Sequence, residues 1–391
     1  MTKKLLEIGF KQSVEDECLF FRGSCIYVLY TDDSILTGPN SKEMDKVVED
    51  LKKAELKLTV EGDMGDFLGV RIEKVNQKYN LTQPHLIKQI LKELRLHGDD
   101  VKTKGTPLPV GKVIHKFEGS KPFDEHFDYR KVIGKLLYLE KSTQLDISYA
   151  VHVLARHTND PKEEHGEMVK WLGRYLAGTT DKGTIFDPKD GTFNCFVDAS
   201  FAGDWDKDAA ANSHDSYFAK SRTGYIIRYA GCPILWASRL QTVIALSSTE
   251  SEVIALSSAT REIIPLIRLL RELHRHGFPT GDTTPTVKCR IFEDNMGAIE
   301  IAKVPKVRPR TKHMATQYFH FRHHVQTGDL VISKIDSIDQ ACDHLTKAIN
   351  RTLIKRHRLT IQGWDDHHED DDKVETRRNK RALLEEQSHN E

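Results

Sequence analysis

The sequence predicts a mixed α/β chain whose second half builds a five-stranded sheet flanked by helices. Three observations carry that reading. Over residues 194–349 the hydrophobic pattern runs strand, strand, strand, helix, strand, helices, strand, helix. Ahead of it, three amphipathic helical segments between 129 and 179 are joined by short polar breaks. Acidic residues also recur where strands end and helices begin: Asp198, Glu252, Asp294 and Asp343.

A chain of 391 residues has room for two or three domains. Lys plus Arg equals Asp plus Glu at 58 each. With no net charge there is no global steering toward a polyanion, so any nucleic-acid contact has to come from local basic patches. The six cysteines (18, 25, 195, 232, 289 and 342) form no CxxC pair. Their scatter excludes a zinc ribbon or disulfide framework and fits reduced thiols in an intracellular setting. The opening MTKKLLEIGFKQSVEDE turns polar too soon for a secretory signal, and no apolar run approaches the ~20 residues of a membrane span. A soluble protein with no membrane partner is expected.

The first elements are the run CIYVLY, TDD, SILTG at 25–38, read as strand, tight turn, strand. Asp32 and Asp33 thereby fall between apolar runs, in what reads as a core hairpin. A charge buried there costs several kcal/mol unless it is paired or bound to a cation. SKEMDKVVEDLKKAE places Met44, Val47, Val48 and Leu51 at helical spacing, with Ser41 as its cap. LKLTV and DFLGVRIEKV read as short strands. LTQPHLIKQILKELRL reads as a capped helix with Thr82 ahead of Pro84. The polar, Pro/Gly-bearing stretch 97–125 is a linker or long loop.

YRKVIGKLLYLEKST, DISYAVHVLARHT and EEHGEMVKWLGRYLAGT are the three amphipathic helices. The texture changes at Asn194. NCFVDAS, TGYIIRYAG and CPILWASR are strands, and 206–216 between the first two is a solvent loop. One long helical pattern fills 246–276, interrupted by Pro265, which in a helix interior costs ~3 kcal/mol and kinks the axis. KCRIFEDN is a strand, MGAIEIAK and HMATQYFHFRHHVQTG are helices, LVISKIDS is a strand and DQACDHLTKAI a helix. From about residue 363 the text is mixed charge with little apolar content, as in a disordered tail.

Asp198 lies in a strand between apolar neighbours, Glu252 in the first turns of the long helix, Asp294 at a strand end and Asp343 at a helix start. Such positions can converge on one edge of a sheet. Four carboxylates that close together repel strongly and are stable only around divalent cations. Hard oxygen ligands suit Mg²⁺ or Mn²⁺.

The runs VDASFAGDW, RTGYIIRYAG, ALSSTESEVIALSSATREI, FEDNMGAIEIAK, RTKHM and DQACDHLTKAI resemble, in order, the ribonuclease H domain of copia-type long-terminal-repeat retrotransposon polyproteins. The resemblance implies a ribonuclease H-like fold, with Asp198, Glu252, Asp294 and Asp343 as catalytic residues and Mg²⁺ or Mn²⁺ ligands. Glu252 is preferred to Glu250 because an aliphatic residue and a nearby Ala follow it. YVLYTDDSILTG resembles the YxDD hairpin of reverse transcriptase palms, which implies metal binding at Asp32 and Asp33. FLGV at 67–70 and LTQPHLIKQIL resemble palm and thumb segments, and the three amphipathic helices resemble the connecting region.

Palms of this family also need a third carboxylate on an earlier strand. Only 31 residues precede Asp32, and Glu7, Glu15, Asp16 and Glu17 among them do not end an apolar strand. The chain is therefore expected to begin inside the palm and to lack polymerase activity alone.

KVPKVRPRTKH crowds Lys303, Lys306, Arg308, Arg310 and Lys312 into ten residues, a set suited to phosphate contacts. His313, His320, His323 and His324 lack a Cys or acidic partner in register for zinc and read as packing or phosphate-contacting residues.

The expected organisation is thus a truncated reverse transcriptase palm and thumb over 1–115 and a helical connection over 116–188. A ribonuclease H-like domain follows over 189–350, and a disordered charged tail over 351–391. The expected chemistry is Mg²⁺-dependent hydrolysis of RNA in RNA–DNA hybrids. Expected partners are nucleic acid and other products of such polyproteins. The alternative is a non-catalytic nucleic-acid-binding relic of a retroelement. Cytoplasm and nucleus both stay open as locations.

Overall fold

The computed structural model describes residues 1–364 apart from 55, 57, 63, 99, 115–119, 125, 208–215, 281–286, 305–313 and 315. The first sheet is an antiparallel meander of β1 (Lys11–Gln12), β2 (Leu19–Arg22), β3 (Cys25–Tyr30) and β4 (Asp33–Thr37). Helix Ser41–Lys53 covers it, burying Val47 and Leu51 with Leu5, Phe10, Phe20 and Tyr27. Its cap is Asn40, one residue earlier than expected, whose side chain accepts the Lys42 N–H.

The last rung of the β3–β4 pair is Tyr30 opposite Asp33, so Thr31 and Asp32 form the turn. Asp32 and Asp33 are exposed at the hairpin tip. This corrects the expectation of a core hairpin: a two-residue connection projects past the packed part of the sheet, where water solvates both charges.

The second sheet joins β5 (Asp66–Phe67), β6 (Val70–Val75) and β7 (Lys78–Thr82) to β8 (Thr184–Phe186), all antiparallel. LKLTV, expected as a strand, forms no regular element among its described residues. Helix Pro84–Glu93 starts on its proline and buries Ile87 and Ile90. Those residues share one core with helices Tyr129–Ser142, Ser148–Ala155 and Glu163–Ala177 through Val132, Leu136, Val151, Val169 and Leu172.

The third sheet holds β9 (Phe193–Ser200), β10 (Arg222–Tyr229), β11 (Cys232–Leu240), β12 (Cys289–Glu293) and β13 (Leu330–Lys334) in the order β11-β10-β9-β12-β13. β10 runs antiparallel to β9 and β11, whereas β12 runs parallel to both β9 and β13. This is the mixed five-stranded sheet with flanking helices that the sequence predicts. Side chains alternate across its central strand. Cys195, Val197 and Ala199 face the long helix Ser248–Arg275 and its neighbours Met296–Lys303 and Phe321–Gln326. Phe196 packs on the other face with Ile226, Leu145, Cys342, Leu345 and Ile361. Leu145 and the C-terminal segments that carry Cys342, Leu345 and Ile361 therefore cover the second face of this sheet.

Three further expectations are corrected. The long helix is not interrupted: Ser248–Arg275 runs through Pro265, which is exposed, so the carbonyl it strands one turn back faces water. The helix expected at HMATQYFHFRHHVQTG is a 3₁₀ turn at Thr316–Phe319 followed by Phe321–Gln326. The tail expected from 351 begins as a helix, Arg351–Gln362, capped by the Asn350 side chain on Leu353 N–H. Its charged text hides one inward face of Ile354, His357, Arg358 and Ile361. Arg358 pairs with Asp146 at 3.3 Å, and Trp364 Nε1 donates to the Gly183 carbonyl at 2.7 Å. Residues 365–391 and most of the 206–216 loop lie outside the described residues.

The N-terminal sheet docks on the far end of the long helix. Ser13 Oγ and the Val14 N–H donate to the two oxygens of Glu272, at 2.5 and 3.0 Å, and the Phe21 ring stacks on His276 at 4.1 Å.

Candidate active site

Parallel pairing brings the ends of β9 and β12 to one edge, with Cys195 beside Ile291 and Phe196 beside Phe292. Asp198 lies near the end of β9, and Asp294 directly follows β12. Glu252 occupies the second turn of Ser248–Arg275, whose start Ser247 caps through its hydroxyl on the Glu250 N–H. One carboxylate oxygen from each of Asp198, Glu252 and Asp294 lies within 4.8 Å of the others. Asp198 and Glu252 are buried at 5% exposure each, and Asp294 is half-buried. Glu250 instead turns back and accepts the Leu246 N–H, acting as a cap.

Two hydroxyls orient this group. Ser337 Oγ donates to Asp294 Oδ2 at 2.7 Å, and Thr346 Oγ1 donates to Asp198 Oδ2. Thr346 reaches the strand because Gly224 stands opposite Asp198 on β10. A Cβ on Gly224 would lie 2.7 Å from Thr346 Cγ2 and 2.9 Å from Leu345 Cβ. Asp343 opens the single helical turn Asp343–Thr346, buried, but it stands outside the three-residue group. Its Oδ1 is 2.7 Å from the ammonium of Lys347.

The electrostatics are those of a crowded acidic site. Burial, reinforced by Asp343, pushes the Asp198 carboxyl up to about 6. Burial and the neighbouring Glu293 hold Glu252 well above the usual carboxylate range. Glu293 itself is fully buried at the end of β12 and raised for the same reason. Glu252 Oε2 and Glu293 Oε2 are buried without a hydrogen-bond partner. Partnerless buried carboxylate oxygens are costly, and a hard divalent cation is the ligand that would satisfy them. The residues present therefore fit such an ion.

Residues 1–109 match the family model for reverse transcriptase, RNA-dependent DNA polymerase. Over 357 residues, 90% of this chain, the sequence is 34% identical to a retrovirus-related Pol polyprotein from transposon RE1 of Arabidopsis thaliana. Over 354 residues it is 31% identical to the polyprotein from transposon TNT 1-94 of Nicotiana tabacum, covering 88% of this chain. The chain belongs to the copia-type Pol polyproteins. It spans about a quarter of the length of these relatives, 23% and 25%. A solved ribonuclease H1 isolated from compost aligns at 18% identity over 42% of this chain and 99% of its own, with a TM-score of 0.25.

The other residues marked in this copia-type sequence lie elsewhere. Asp32 and Asp33 join no group of three ligand side chains among the described residues. Lys303 is exposed at the end of its helix, while Lys306, Arg308, Arg310 and Lys312 fall outside the described residues. So does His313. His324 lies 3.3 Å from Asp329, and His320 lies 3.4 Å from Ser257 Oγ. No zinc-type cluster forms among the described residues.

Sequence reasoning missed Glu293, Ser337, Thr346, Lys347 and Gly224. Thr346 and Lys347 carried a usable signal, since they stand three and four residues after Asp343 and a helical turn brings such positions together. Glu293 adjoins Asp294 in plain view, but only the packed structure reveals that it is buried.

Proposed function

We propose that the ribonuclease H-like half of this copia-type chain hydrolyses the RNA strand of RNA–DNA hybrids. The close approach of Asp198, Glu252 and Asp294 carries the reading. These three would hold Mg²⁺ or Mn²⁺, with Asp343 completing a second position. Bound there, divalent ions supply an activated water and stabilise the leaving 3′-oxygen. Thr346 and Ser337 hold two of the carboxylates in fixed orientation, and their hydrogen bonds support ordering of the site before substrate arrives. Lys303 and the basic run to Lys312 would contact phosphates.

Residues 189–350 would form this nuclease unit, with 116–188 as its helical connection and 1–115 as the palm and thumb portion. Asp32 and Asp33, exposed at the hairpin tip, take no part in this proposed reaction.

The test uses the full chain with end-labelled RNA–DNA hybrid and Mg²⁺. Cleavage is expected in the parent and lost in Asp294→Asn, with hybrid binding retained because Asn keeps the shape. Binding without cleavage in the parent would overturn this reading in favour of a binding relic.

A further inference from the structure

We propose that Lys347 is the resident counter-cation of the metal-free carboxylate cluster and that it releases Asp343 when a divalent cation enters. The inference rests on the reading that this cluster takes such an ion. Five carboxylates crowd the sheet edge: Asp198, Glu252, Glu293, Asp294 and Asp343. The Lys347 ammonium sits 2.7 Å from Asp343 Oδ1 and interacts with the charges of Asp198 and Asp294 as well.

The arrangement separates a fixed part from a movable one. The turn Asp343–Thr346 is anchored, because Thr346 is bonded to Asp198 and the gap left by Gly224 seats it on the sheet. Lys347 has left the helix with an extended backbone, and its side chain is 52% exposed. A half-exposed ion pair is weak. A divalent cation shared by several carboxylates can displace it without moving the backbone, which frees Asp343 as a ligand. The released ammonium then stands at the rim, where a phosphate of the substrate would meet it.

The experiment is Mn²⁺ titration of the full chain by calorimetry, paired with thermal unfolding in chelator. Removing a competing cation should tighten metal binding while weakening the metal-free fold. Lys347→Met is therefore expected to bind Mn²⁺ about five-fold more tightly, the scale of one partly exposed ion pair, and to unfold about one degree lower without metal. Lys347→Arg should stay near the parent in both. Adding Asp343→Asn to Lys347→Met should cancel the gain in affinity. The Asp198→Asn variant reports background binding, including any at the DDHHEDDD run of 365–372. Equal or weaker Mn²⁺ binding by Lys347→Met, with parent binding above that background, overturns the role of Lys347 alone. A parent no better than Asp198→Asn overturns the metal reading itself, and this inference with it.

Discussion

Thr346 donates its hydroxyl to Asp198, joining residues 148 positions apart in sequence and holding a buried carboxylate at the edge of the sheet. The bond depends on an absence. Opposite Asp198 stands Gly224, and any side chain there would drive the 343–346 turn off the strand. A backbone that approaches this closely places a hydroxyl where no lone surface threonine could reach.

Thr346→Val keeps the shape of the side chain and removes the donor. The loss of this bond is expected to cost about 1–2 kcal/mol, measured by urea unfolding in chelator. Mn²⁺ affinity should fall with it, because Asp198 is then free to turn away from Glu252 and Asp294. Unchanged stability and affinity would show that the bond does not hold the site.

The pH dependence follows from Asp198. Its carboxyl is raised from near 3.8 to about 6, chiefly by burial. The folded state therefore favours the protonated form. That stability is fully present below the ordinary carboxylate range and is lost as pH rises through about 6. Asp198→Asn removes the charge, so in metal-free buffer it should match the parent near pH 4 and exceed it above pH 7. The gap should be at most about 3 kcal/mol. Added Mg²⁺ should narrow the gap from the parent side. A gap that is constant with pH would refute the burial argument.

The helix Arg351–Gln362 should act as part of the helical connection rather than as a tail. Arg358 and Asp146 are both buried, and Tyr175 and Gln362 complete their network. Arg358→Met strands the Asp146 charge, and breaking a buried pair in this way costs about 3–5 kcal/mol. Urea unfolding measures it. A cost below about 1 kcal/mol would mean that the helix is peripheral to the fold.

Much of this molecule is legible in its text, and the failures have physical reasons. Strand and helix order over 194–349 follows from periodicity, and so do the strand-end and helix-start positions of Asp198, Asp294 and Asp343. The hairpin at Asp32 and Asp33 misled because apolar flanks read as burial, whereas a two-residue turn lifts its tip into water. Helix Arg351–Gln362 was hidden by its charges, since Arg358 looks like a surface residue until Asp146, 212 positions earlier, is seen to meet it.

By itself the sequence determined the identity and order of the elements, because backbone propensity and hydrophobic period act over a few neighbouring residues. Only the tertiary structure decided which acids meet and which are buried. Parallel pairing of β9 and β12, the start of the long helix and the gap at Gly224 together bring distant charges within a few ångströms. Coulomb repulsion and desolvation depend on those distances through space, and no local spacing in the chain encodes them.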